Sequence, residues 1–186
     1  MNIFFLAEDP ELCAQYHCDK HCVKMILEYA QLLSTAHRVI DGTQLTGQKH
    51  WTMPVGYYTD KLYKATHENH PCAIWAREND KNYNWLLDLL EQLCREYTIR
   101  YGRVHKVQSS GLLSDLNQLP TYIKRSFAKT HDPVPQCVPE HCKVPGNPVL
   151  AYQNVYLDKG DIIYWNKPAP RPGWPHWYWS RKGMPA

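Results

Sequence analysis

The chain has 186 residues, enough for one domain with a hydrophobic core of useful size. Its 44% hydrophobic and 21% charged residues are a globular composition, which excludes a disordered or low-complexity chain. The net charge of +3 permits a polyanionic partner without requiring one, and no apolar run is long enough to span a membrane.

Residues 2–6 (NIFFL) form a short apolar run that predicts a buried strand. Asp9-Pro10 then pairs an N-cap residue with a proline at the first helical position, so a helix starts there. This helix, about residues 10–40, either runs unbroken to the Asp41-Gly42 stop or restarts at Asp19 as a second N-cap. Along it, His17, His21, Lys24, Glu28, Gln31 and Thr35 are spaced 4, 3, 4, 3 and 4 residues apart. At ~100° per residue these fall on one stripe, from which His17 drops out if the helix breaks. Val23, Met25, Ile26, Leu27, Tyr29, Ala30, Leu32 and Leu33 cover most other directions, so the helix reads as buried and the stripe as facing a cleft. Cations beside a carboxylate in such a place shift one another's pKa, which is what acid–base and amine chemistry needs. A polar network that merely fixes core geometry would account for two such residues more readily than for five.

Residues 43–60 are polar and punctuated by Gly and Pro, hence loop. Residues 61–68 (KLYKATHE) predict a short helix leading to Asn69-His70-Pro71. A second long helix follows over about 73–102, with an apolar face of Trp75, Leu86, Leu87, Leu90, Leu93, Cys94 and Tyr97 and a stop at Gly102. Residues 131–147 hold four of the fourteen prolines and read as an ordered loop; a short helix follows over 148–157, then an aromatic Trp/Pro-rich tail over 165–186. Strand signals are sparse and there is no internal repeat. The expected fold is mainly α, a compact single-domain helical bundle spanning 1–186.

Seven cysteines, an odd number with no secretory leader before them, predict free thiols in a reducing cytoplasm, that of an infected host cell if the protein is viral. His17/His21 and Cys18/Cys22 are each one turn apart, but the two pairs point about 100° from each other and do not converge on one ion. Cys137, His141 and Cys142 could add ligands from the Pro-rich loop, yet no CxxC is present, so neither metal nor cofactor is expected. No local signature marks a cysteine nucleophile. Glycines are scattered singly, and Gly42 and Gly47 are followed by Gln48-Lys49 where a phosphate-binding loop needs Lys-Ser or Lys-Thr. His67, Asn69 and His70 before a helix N-terminus could bind an anion or simply form a cap and turn. Arg95, Arg100, Arg103, His105 and Lys106, interleaved with Tyr97 and Tyr101, fit either a helix C-terminus or a phosphate-binding surface. Seven Trp and thirteen Tyr against three Phe favour rings with polar handles, suited to stacking on bases.

The runs YHCDKHCVKMILEYAQLL, NHPCAIWARENDKNYNWL, EYTIRYGRVHK, AYQNVYL and RPGWPHWYW together resemble a family of small proteins found mostly in phages and grouped with pyrimidine-dimer DNA glycosylases of the endonuclease V type. The resemblance implies a helical protein that binds DNA, flips a base out and cuts its N-glycosidic bond through an amine that forms an imine with the sugar. Glu28 matches the assisting carboxylate, with Lys24 as amine or electrostatic partner and His21 and His17 orienting them. The family's nucleophile is an α-amine exposed beside a small second residue. Asn2 stands there in this chain, which turns attention to Met1's own amine or to Lys24. Expected contacts to substrate or nucleic acid are Lys20, Gln31, His67, Asn69 and His70 on the N-terminal side. Arg100, Tyr101, Lys106 and Trp174 complete them. The expected function is a base-excision N-glycosylase, with or without a lyase step, acting on damaged or modified pyrimidines. The alternative is a non-catalytic phage protein that sequesters a nucleotide or nucleotide signal, with the same stripe as its cleft.

Overall fold

A computed structural model describes residues 1–48, 50–167 and 175–183. It is mainly helical, and no strand occurs among the described residues. Helix α1 (Pro10–Tyr16) starts as expected: Asp9 accepts the Leu12 N–H at 2.8 Å and proline occupies the first turn. Helix α2 (Asp19–Asp41) follows after a break at His17 and Cys18, so the restart at Asp19, not the continuous helix, is what forms.

Arg100 explains how the break is sustained. Ending α1 at Tyr16 frees carbonyls that helix continuation would have satisfied. The Arg100 guanidinium donates to the carbonyls of Gln15 (2.9 Å) and His17 (2.7 Å). Its charge is balanced by Glu96 at 3.0 Å and Asp19 at 3.4 Å, with the Arg100 side chain only 2% exposed. Asp19 in turn accepts the backbone N–H groups of Asn166 (2.6 Å) and Lys167 (2.9 Å), which ties the C-terminal segment to the same corner.

The second long helix is also two helices, α3 (Pro71–Glu78) and α4 (Asp80–Tyr101). Asn79 is the reason. Its side chain accepts the N–H groups of Lys81 and Asn82 as a new N-cap while its amide donates to Asp132 at 2.6 Å. Helix α4 stops where expected, with Gly102 in the left-handed region at φ 63°. Short helices α5 (Lys106–Ser109) and α6 (Leu112–Leu116) follow, then α7 (Pro148–Asp158), capped by Asn147, and α8 (His176–Arg181).

Two expected elements do not form. Residues 2–6 are buried as expected but pair with no strand; they thread between helices, and side chains serve their backbone instead. The Phe4 N–H donates to the Tyr29 hydroxyl and the Leu6 N–H to the Cys13 sulfur. Residues 61–68 are extended and then turn, because the Arg38 guanidinium claims the carbonyls of Tyr63 and Leu62 that a helix would have used internally. The core lies where α2 packs on α3 and α4 and where α4 packs on α1, with Ile3, Phe5 and Leu6 running through it. No helix among the described residues is long and apolar enough to cross a membrane.

Candidate functional site

The polar stripe of α2 divides into two parts. His17 lies off the helix and turns inward: Nδ1 pairs with the Cys13 carbonyl and Nε2 with the Tyr29 hydroxyl, both at 2.8 Å. Burial, with Arg100 adding to it, pushes its pKa down to about 4. His21 pairs through Nδ1 with the Tyr156 hydroxyl at 2.7 Å and lies over Phe4 at 4.2 Å between ring centres. Burial, then the neighbouring His17 and Lys24, lowers its pKa to about 3. Both imidazoles are neutral near pH 7, His17 paired through both nitrogens and His21 through Nδ1, so they brace the core of the site; neither is a cationic partner for Glu28.

Lys24 and Glu28 behave oppositely. Lys24 Nζ stands 3.0 Å from Glu28 Oε1, with the lysine side chain 63% exposed and the carboxylate 16% exposed. Lys24 is thus not the buried amine beside a charged histidine that the sequence suggested. Val23 and Leu27 are exposed too, so α2 is not apolar all round but presents one open lip. Gln31 is half-buried on the next turn. Thr35 is a core hydroxyl: it donates to the Gln31 carbonyl at 2.7 Å and accepts the Thr66 N–H at 3.2 Å, holding the 66–70 turn against α2.

Beside the open lip is a cleft of about 710 Å³ lined by Asp19, Lys20, Val23, Lys24, Tyr101, Tyr164, Asn166 and Lys167. Three lysines face it, and its one carboxylate, Asp19, is already engaged by Arg100 and two backbone amides. Tyr101 donates to the Asp19 carbonyl at 3.0 Å, its phenol pushed up to about 12 chiefly by burial, and Lys167 Nζ sits 5.8 Å over its ring. Lys24 belongs both to this cleft and to the Glu28 ion pair, so the carboxylate is joined to the basic, tyrosine-lined groove through that lysine and does not itself line it.

The other expected contacts separate. Arg100 is corrected outright: it is a buried structural cation and no phosphate ligand. His70 accepts the Cys72 N–H and caps α3, while His67 (φ 49°) and Asn69 are exposed on the turn before it. Lys106 is exposed at the start of α5 and does not line the cleft. Trp174 lies outside the described residues. Tyr164, Asn166 and Lys167 were not expected in the site; they reach it because their segment is drawn to Asp19, a contact with no local sequence signal.

All seven cysteines are free. Burial raises Cys13, Cys22 and Cys94 to about 12, which makes them poor nucleophiles. His17 and His21 turn to separate partners, the Cys13 carbonyl and the Tyr156 hydroxyl, and Cys18 and Cys22 are buried free thiols. Two other groups do gather ligand atoms within 4.8 Å of one another: His70, Cys72 and Cys137, and His141, Cys142 and Asp158. Against the expectation of no metal site, the Pro-rich loop therefore supplies possible ligands, divided between two places. Cys137 is lowered to about 7 by the thiol hydrogen bond from Cys72, whose own thiol is raised.

Residues 1–109 match the family model described as pyrimidine dimer DNA glycosylase. The chain belongs to that family. No curated protein and no solved structure matches it. The family description names DNA as substrate and glycosidic excision at pyrimidine dimers as the activity. The matched span carries α1 to α5, including Lys20, Lys24, Glu28 and Tyr101. The residues that close the cleft from the other side, Tyr164 to Lys167, fall beyond it.

Proposed function

We propose that the chain is a DNA N-glycosylase for damaged or modified pyrimidines whose working carboxylate is Glu28. The observation that carries this reading is the Lys24–Glu28 pair at 3.0 Å, whose lysine lines the basic cleft. Lys20, Lys24 and Lys167 suit the phosphates of one strand, which fix register without reading sequence. Tyr101 and Tyr164 offer ring faces for an extruded or orphaned base. Bond cleavage leaves positive charge developing at the sugar's anomeric carbon, and a fixed carboxylate beside it lowers the barrier by electrostatic stabilisation and proton transfer. Lys24 orients that carboxylate and meets a phosphate.

A lyase step would need an amine that attacks the same carbon, expels the base and forms an imine. Lys24 and the α-amine of Met1 are the two candidates. Incubation with ultraviolet-irradiated duplex in the presence of borohydride distinguishes the outcomes. New abasic sites, scored by strand scission in alkali and by base freed on photoreversal of the cut dimer, support a glycosylase, and a trapped adduct, located by peptide mapping, adds the lyase and identifies its amine. Tight binding with neither product would sink the enzyme reading and leave the nucleotide-sequestering one.

A further inference from the structure

His70 and Cys72 stand at the start of α3, and Cys137 comes from the Pro-rich loop 65 residues away. Their ligand atoms lie within 4.8 Å of one another, with Cys72 Sγ and Cys137 Sγ 3.7 Å apart. That separation has a meaning. Two thiolates ~2.3 Å from one zinc at the tetrahedral angle stand about 3.8 Å apart, whereas a disulfide brings the sulfurs to ~2.05 Å.

The surroundings suit metal-bound thiolates. The loop is held in place independently: Asn2 donates to the Cys137 carbonyl at 2.7 Å, while the Tyr152 hydroxyl accepts the Cys137 N–H and donates to the Pro135 carbonyl at 2.7 Å. Cys72 is buried but His70 and Cys137 are half-exposed, so an ion has a route in and space for a water on its open side.

We propose that His70, Cys72 and Cys137 form a zinc site that clamps the Pro-rich loop to the N-terminus of α3, with one coordination position left to water or an added ligand. Two soft sulfurs and an imidazole select zinc over magnesium or calcium. His70 exchanges its cap hydrogen bond to Cys72 for coordination, since ligation through either nitrogen takes the lone pair or the tautomer that the cap uses. The other group, His141, Cys142 and Asp158, has a single thiol and an exposed 3.1 Å His–Asp pair, and is the weaker donor set. The zinc site uses none of the residues that line the basic cleft.

Cobalt reports such a site directly. A Cys142→Ser chain, which removes the second group's only sulfur, is reduced, stripped of metal with a chelator and titrated with Co2+. The expected result is one ion per chain with an intense sulfur-to-cobalt charge-transfer band and tetrahedral d–d bands, both displaced by Zn2+. Cys137→Ser, at a half-exposed loop position that the fold tolerates, should abolish the band. His70→Ala should weaken binding by about 100-fold or more, since even outer-shell partners cost ~10–100-fold. Zinc should also protect Cys72 and Cys137 from alkylation in the chain without substitutions. No charge-transfer band, a band that survives Cys137→Ser, or alkylation indifferent to zinc overturns the proposal.

Discussion

Two parts of one helix face, a single turn apart, have opposite physical characters. At the His17–His21 end the rings are buried and paired, His17 with Tyr29 and the Cys13 carbonyl and His21 with Tyr156, and both are held neutral. At the Lys24–Glu28 end the lysine is exposed and lines a basic cleft, with the half-buried carboxylate 3.0 Å from it. Sequence spacing made these six residues look like one device. Burial divides them into a brace and a working edge, because charge persists only where water or a close partner supports it.

The largest effect should test that division at the working edge. Glu28→Gln is expected to lower turnover on irradiated duplex by about 10²–10⁴, with DNA affinity and melting temperature nearly unchanged. Tyr156→Phe should do the reverse, losing about 1–3 kcal/mol of stability through an unpaired buried imidazole while turnover per folded molecule is kept. If Tyr156→Phe abolishes turnover in folded protein, the brace is part of the chemistry after all.

Arg100→Met comes next, at about 3–5 kcal/mol, the cost of leaving buried Asp19 and Glu96 without their cation and two carbonyls without a donor. Urea unfolding measures it. A variant that stays as stable as the parent but binds DNA poorly would return Arg100 to the phosphate surface.

Acid sharpens the comparison further. His17 and His37 at about 4 and His21 at about 3 are all depressed below the usual imidazole value of 6.5 by burial. The unfolded chain therefore takes up protons between those values that the folded chain refuses. Stability is fully present above pH 6.5 and falls as pH drops toward 4, by up to ~1.4 kcal/mol per unit for each imidazole, or ~4 for all three. Melting temperature across pH 7 to 4.5 reads this out, and a flat profile would mean the imidazoles are not held neutral.

The smallest effect belongs to the cleft lysines. Lys20→Ala and Lys167→Ala should each reduce the salt dependence of DNA binding by about one phosphate contact and change stability by less than ~0.5 kcal/mol. A salt slope unmoved by either places the DNA elsewhere.

Much of this fold could be read along the chain, because the signals were local. Asp9-Pro10 sets the start of α1 and Gly102 the end of α4, since a cap or a left-handed residue acts on its own neighbours. The break at Asn79 was equally local and went unread: the apolar periodicity on either side masked the Asn N-cap. The break at His17 had its candidate in Asp19, but it rests on Arg100, more than eighty residues away in sequence. The strand expected at residues 2–6 failed because periodicity reports burial, and burial between helices asks for no ladder.

By itself, then, the sequence determined a mainly helical chain, the line from His21 to Glu28 and a family whose substrate is DNA. Tertiary structure decided that His17 and His21 are held neutral, because desolvation depends on what packs above a residue and not on its place along the helix. It also decided the partners. Lys167 reached the cleft through Asp19, and Cys137 reached Cys72 through a loop anchored by Asn2 and Tyr152, contacts between distant segments that no spacing along the chain encodes.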